Sequence, residues 1–162
     1  MVRLNISSIE FKGLMVLLLA LTWASNSLGQ ERVAMSDNEK VIREFVQAWS
    51  NLDAEELASY FTEDAIYHNM PSDPVQGRAS IQQFIAGFIR PWESTEWEII
   101  SLVTDGDIVM VERLDKTVVA GSPVNLPCLG YFQLEDGKIK LWRDYFDLAT
   151  YTDALTQALG GN

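Results

Sequence analysis

Ile108-Val109-Met110-Val111-Glu112-Arg113-Leu114-Asp115-Lys116-Thr117-Val118-Val119 is the stretch on which the fold reading turns. Side chains alternate between the two faces of a strand, so Arg113 and Asp115 share one face while Leu114 and Val118 share the other. The same period of two runs through the neighbouring sequence and predicts strands over 95–104, 108–119, 124–134 and 138–148. Asp105-Gly106 and Asp136-Gly137 are turn signals between neighbouring strands. The second half of the chain therefore reads as an antiparallel meander.

Towards the N-terminus the period changes to that of helices. Ser36 followed by Glu39 forms a capping box, and Val41, Ile42, Phe45, Val46 and Trp49 recur at helical spacing, predicting a helix over 37–50. Asp53 with Glu56 repeats the device before Leu57 and Phe61, giving a short second helix that ends near Thr62. Ala65 to Met70 alternates and is stopped by Pro71, Pro74 and Gly77, marking a short strand and a loop. A third helix begins near Arg78, gathers Ile81, Phe84, Ile85 and Phe88 on one face, and is ended by Pro91. A closing helix covers Tyr151 to Leu159. The class is α+β: three N-terminal helices packed on one face of a curved antiparallel sheet, together forming a cone over 37–162 whose interior suits a small ligand.

Composition narrows what that ligand is. With 162 residues, 48% of them hydrophobic, the chain fits a single domain with a substantial core. Its formal net charge of -11 argues against nucleic acid or an anionic membrane surface as partner and leaves a neutral or apolar ligand as the easier fit. Cys128 is the only cysteine and His68 the only histidine, which excludes an internal disulfide and most metal sites built on these residues. The same scarcity makes Ser-His-Asp or Cys-His catalysis unattractive. Cys128, inside Leu126-Pro127-Cys128-Leu129, reads as a small buried hydrophobe.

Residues 1–29 differ in kind from the rest. Arg3 and Lys12 precede the apolar run Leu14 to Leu21, and small residues follow from Ala24 to Gly29, a secretory signal pattern with cleavage expected after Gly29. Export to the periplasm or medium follows from that reading, with 30–36 as a short leading segment. The alternative is a cytoplasmic protein translated from Met35.

Three groups of residues carry chemistry. Arg113 and Asp115 point the same way from one strand. Asp144 shares its face with Trp142 and Phe146, and a carboxylate among large apolar groups needs a partner or a function. Tyr67 and Asn69 share a face, with His68 turned away, and together can donate and accept hydrogen bonds to a water. Each has a plainer reading. Arg113 and Asp115 alone would be a buried ion pair, and Tyr67 with Asn69 could close a turn before Pro71. Arg143, Tyr145 and Asp147 fall on the face opposite Asp144 and are read as structural or as dimer contacts, and His68 is read as structural. The aromatic set Phe84, Phe88, Trp97, Phe132 and Trp142 is read first as core.

Taken in order, Tyr67-x-Asn69-Met70-Pro71, Glu112-Arg113-x-Asp115 and Trp142-Arg143-Asp144-Tyr145-Phe146-Asp147 resemble the limonene-1,2-epoxide hydrolase family, over roughly residues 37–155. The resemblance implies a nuclear transport factor 2-like (cystatin-like) cone, a homodimer, an apolar pocket and no cofactor. It also implies roles: Asp115 as general acid towards the epoxide oxygen, Asp144 as general base towards water, Arg113 as the bridge between the carboxylates, and Tyr67 and Asn69 holding the water. The expected reaction converts an apolar epoxide to a vicinal diol in one step, with no covalent intermediate and only substrate and water as partners. Rival readings on the same fold are an epoxide-opening cyclase, a polyketide cyclase or ketosteroid isomerase relative, and a non-catalytic carrier of apolar ligands.

Overall fold

The computed structural model describes residues 35–160; the expected signal peptide over 1–29 lies outside the described residues. Helix α1 (Asp37–Ala48) starts where Ser36 Oγ accepts from the backbone N–H of Glu39 at 3.1 Å. The reciprocal half of the capping box is not made, because the Glu39 carboxylate pairs instead with Arg43 one turn on, at 2.7 Å. A 3-10 turn (Trp49–Asn51) leads into α2 (Ala54–Ser59), whose cap, Asp53, accepts from the backbone N–H groups of Glu55 and Glu56.

Strand β1 (Phe61–Asn69) begins earlier than the local pattern suggests. The cause is tertiary: Phe61 lies opposite Ile139 of β6 (Lys138–Tyr145), a ladder partner that local periodicity does not reveal. A two-residue strand β2 (Val75–Gln76) and helix α3 (Arg78–Phe88) follow. Strands β3 (Ser94–Asp105), β4 (Ile108–Val119) and β5 (Ser122–Glu135) then run antiparallel into β6. β6 stops at Tyr145, short of the expected 148, because Asp147 is needed as the cap of α4 (Leu148–Ala158), accepting from the backbone of Ala149 and Thr150.

The sheet order is β2-β1-β6-β5-β4-β3. The meander is antiparallel as expected, but β1 lies parallel to β6, so the curved sheet is mixed. Asp136 and Gly137 turn the last hairpin with φ of 50° and 71°. Ala120 and Gly121 do the same between β4 and β5 at 49° and 72°, an unusual place for alanine, which carries a Cβ penalty there.

The concave face of the sheet is closed by helices. Phe45 of α1 meets Trp49, Phe61, Phe132 and Trp142 edge-on, with ring centroids 5.2–6.1 Å apart. This aromatic floor is fully buried. Above it, neighbouring strands bring inward-facing residues into register: Trp97 beside Asp115 beside Leu126, then Arg113 beside Cys128, then Gly130 beside Asp144 beside Asn69. Polar side chains from distant parts of the sequence thus meet over the floor.

Candidate active site

Arg113 is the centre of that meeting. Its side chain is fully buried, and its guanidinium lies 4.3 Å above the centre of the Trp97 ring. Nε donates to Asp115 Oδ1 at 2.8 Å, and Nη2 reaches Asp115 Oδ2 at 3.3 Å. On the other side Nη1 donates to Asp144 Oδ1 at 3.0 Å and Nη2 to Asp144 Oδ2 at 2.6 Å. One planar cation therefore holds two carboxyl groups, a geometry that lysine cannot reproduce.

To reach Asp144 on β6 from β4, the Arg113 side chain must cross β5. Gly130 provides the passage: a Cβ there would stand 2.6 Å from Arg113 Nη1 and 2.7 Å from a Phe132 ring carbon. Gly130 does not stand out among the residues that carry chemistry in the sequence. The available signal was an isolated glycine inside a strand pattern, which marks close approach of another group.

The two carboxyls are held unequally. Asp144 accepts a third hydrogen bond at Oδ1, from Trp142 Nε1 at 2.6 Å. Asp115 has only the Arg113 contacts among the described residues, and burial, opposed by Arg113 and reinforced by the neighbouring Asp144, pushes its carboxyl up to about 7. A buried cation with one ionised and one protonated carboxyl is electrically neutral, the arrangement that a low-dielectric site favours. The additional donor falls on Asp144 alone, and Asp115 is the carboxyl whose surroundings favour the proton.

Tyr67 and Asn69 come in from β1. Parallel pairing sets Asn69 directly opposite Asp144, and Tyr67 Oη donates to Asn69 Oδ1 at 2.8 Å. That bond uses the tyrosine proton, leaving the Asn69 amide N–H as donor and Tyr67 Oη as acceptor for a third molecule. Burial, with Asp144 adding to it, drives the Tyr67 phenol well above its ordinary range, so it stays neutral. All five residues expected from the sequence are thus brought together. His68 points away, its Nε2 bonded to the Ser72 carbonyl at 2.9 Å, and Asp147 serves as a helix cap.

A pocket partly open to solvent lies over this array. Tyr67, Asn69, Asp115 and Asp144 lie at its polar end, while Val124 and Leu126 line an aliphatic wall. Phe88, Trp92, Phe146 and Tyr151 supply an aromatic wall. Of the aromatic set read from sequence, Phe88 and Trp97 reach the pocket, whereas Phe132 and Trp142 remain beneath it. Cys128 is buried as expected and also lines the pocket, where desolvation and the nearby Asp144 charge push its thiol up and keep it protonated.

Curved sheet, closing helices and enclosed pocket define a nuclear transport factor 2-like protein. Within that class the chain belongs to the limonene-1,2-epoxide hydrolase family, whose catalytic-domain model matches residues 36–157. Epoxide hydrolase EphG of Mycobacterium tuberculosis is 27% identical over 121 residues, spanning 73% of this chain and 78% of that protein. The structure of an M. tuberculosis LEH-like epoxide hydrolase superposes with a TM-score of 0.66 at 25% identity, covering 76% of this chain and 92% of that one. A SnoaL-like polyketide cyclase from Shewanella putrefaciens aligns with a TM-score of 0.68 at 16% identity, over 76% and 98% of the two chains, and shares the fold alone.

Proposed function

We propose that the protein hydrolyses a small apolar epoxide to a vicinal diol in a single step. The observation that carries this reading is the unequal pair of carboxyls on one guanidinium, Asp115 raised to about 7 and Asp144 braced by three donors. Asp115 gives its proton to the epoxide oxygen as the ring C–O bond breaks. Water held by Asn69 and Tyr67 forms the new C–O bond and passes a proton to Asp144. Afterwards Asp144 holds a proton and Asp115 a charge, and one proton transfer between them restores the starting state. Such paired acid–base assistance removes the need to form free alkoxide or hydroxide.

The aliphatic and aromatic walls favour an uncharged substrate, in keeping with the acidity of the whole chain. Opening by an internal hydroxyl would use the same acid and base; the Tyr67–Asn69 pair beside Asp144 favours a separate water. A single turnover in ¹⁸O-labelled water tests the mechanism directly. Label in the diol is expected, and label retained first on a protein carboxyl would overturn it.

Two further expectations belong to the same reading. The pattern in residues 1–29 supports export, and N-terminal sequencing of the mature chain at Met35 or Ser36 in the cytosol would rule it out. The homodimer implied by the family resemblance would cover the outer sheet face, where Leu129 and Tyr145 are exposed; a monomer in sedimentation velocity would exclude it.

A further inference from the structure

We infer that Trp142 is a positioning residue whose indole N–H decides which oxygen of Asp144 takes the proton from water. The inference rests on the hydrolytic reading above. Asp144 Oδ1 accepts from both Arg113 Nη1 at 3.0 Å and Trp142 Nε1 at 2.6 Å, which uses both of its in-plane lone pairs. Among the hydrogen bonds of the described residues, Oδ2 accepts from Arg113 Nη2 alone, which leaves a lone pair free on Oδ2. Without the indole donor the two oxygens would be equivalent in number of partners, and the carboxylate could rotate between them.

Trp142 is itself held too firmly to give way. Its ring is fully buried and sandwiched between Tyr67, stacked at 4.1 Å and 13°, and Phe132, at 5.4 Å and 17°. The Tyr67 stack matters, because the same tyrosine bonds Asn69. One tryptophan therefore touches both halves of the site: it bonds the base and backs the residue that braces the water. A core role alone would require the ring but not the orientation of its N–H towards a carboxylate.

The groups facing Asp144 are Arg113 and Asp115 from β4, Cys128 from β5 and Tyr67 from β1. The thiol and phenol are both held neutral, leaving Arg113 and the indole N–H as the donors that orient the Asp144 carboxylate.

The test replaces Trp142 in two ways in the full-length enzyme: Trp142→Phe, and the isosteric benzothienylalanine, in which sulfur stands for the N–H. Two readouts are followed, kcat and KM for diol formation and the ¹³C chemical shift of the Asp144 carboxyl without substrate. For both variants the carboxyl resonance should move as the indole hydrogen bond is lost, with kcat falling more than KM rises. If the isostere keeps the wild-type resonance and kcat, Trp142 is core packing and the proposal is overturned, even if Trp142→Phe fails to fold. Absence of any diol from the wild-type enzyme would instead overturn the hydrolytic reading, and the carboxyl resonance would still decide on Trp142.

Discussion

Arg113 Nη2 stands 2.6 Å from Asp144 Oδ2 and 3.3 Å from Asp115 Oδ2, so a single nitrogen leans towards one carboxyl and away from the other. Together with the Trp142 N–H that bonds Asp144 alone, that asymmetry makes the surroundings of the two aspartates unequal.

Asp115→Asn should abolish most diol formation while leaving the fold intact. The asparagine amide can still accept from Arg113 Nε but has no acidic proton to deliver. A general acid contributes about 10²–10⁴-fold, and kcat should fall within that range while the far-ultraviolet circular dichroism is unchanged. Wild-type activity in this variant would remove Asp115 from the mechanism.

The pH dependence follows from the same residue. Asp115 moves from 3.8 when unfolded to about 7 when folded, so between these values the folded chain binds more protons than the unfolded one. This contribution to stability is full below the lower value, declines as pH rises, and is flat above the upper one. The melting temperature of Asp115→Asn relative to wild type should therefore climb across that window. Diol formation by the wild type should weaken as pH rises past about 7, where the acid loses its proton.

Arg113→Lys should fail although the charge is kept. An ammonium has no planar fork to hold Asp115 and Asp144 together, and it forfeits the stacking on Trp97. Leaving a buried carboxylate poorly paired costs about 3–5 kcal/mol, which urea unfolding would detect alongside the loss of turnover.

Two glycines provide a contrast. Gly130→Ala drives a methyl into the Arg113 guanidinium and the Phe132 ring, and should cost about 1–3 kcal/mol together with most of the activity. Gly87 lies within α3, with open space around its missing Cβ. Gly87→Ala should stabilise by about 0.5–1 kcal/mol with turnover unchanged. Equal effects from the two variants would contradict the passage assigned to Gly130.

The legible parts of this protein are those in which local chemistry and the final fold agree. Ser36, Asp53 and the Asp136-Gly137 turn announce themselves because each satisfies its own neighbours. The strand alternation placed Arg113 and Asp115 on one face, and their burial follows from it. The start of β1 at Phe61 and its parallel pairing with β6 depend on residues far along the chain, which no window of local periodicity contains. The Ala120-Gly121 turn was hidden because alanine carries no preference for a left-handed φ. Trp142 was read as core, and it is; hydropathy carries no information about where an indole N–H points.

Because β1 has β6, far along the chain, as its partner on one side, Asn69 and Asp144 become adjacent only when distant parts of the folded region come together. Such long-range closure is slow and tends to come late, since loop entropy must be overcome before the contact gives anything back. On the proposed mechanism, a chain with a finished meander but an undocked first strand would carry Asp115, Arg113 and Asp144, yet lack the Tyr67–Asn69 pair beside them. Catalytic competence would then report complete assembly of the sheet, and partly folded molecules would remain chemically silent.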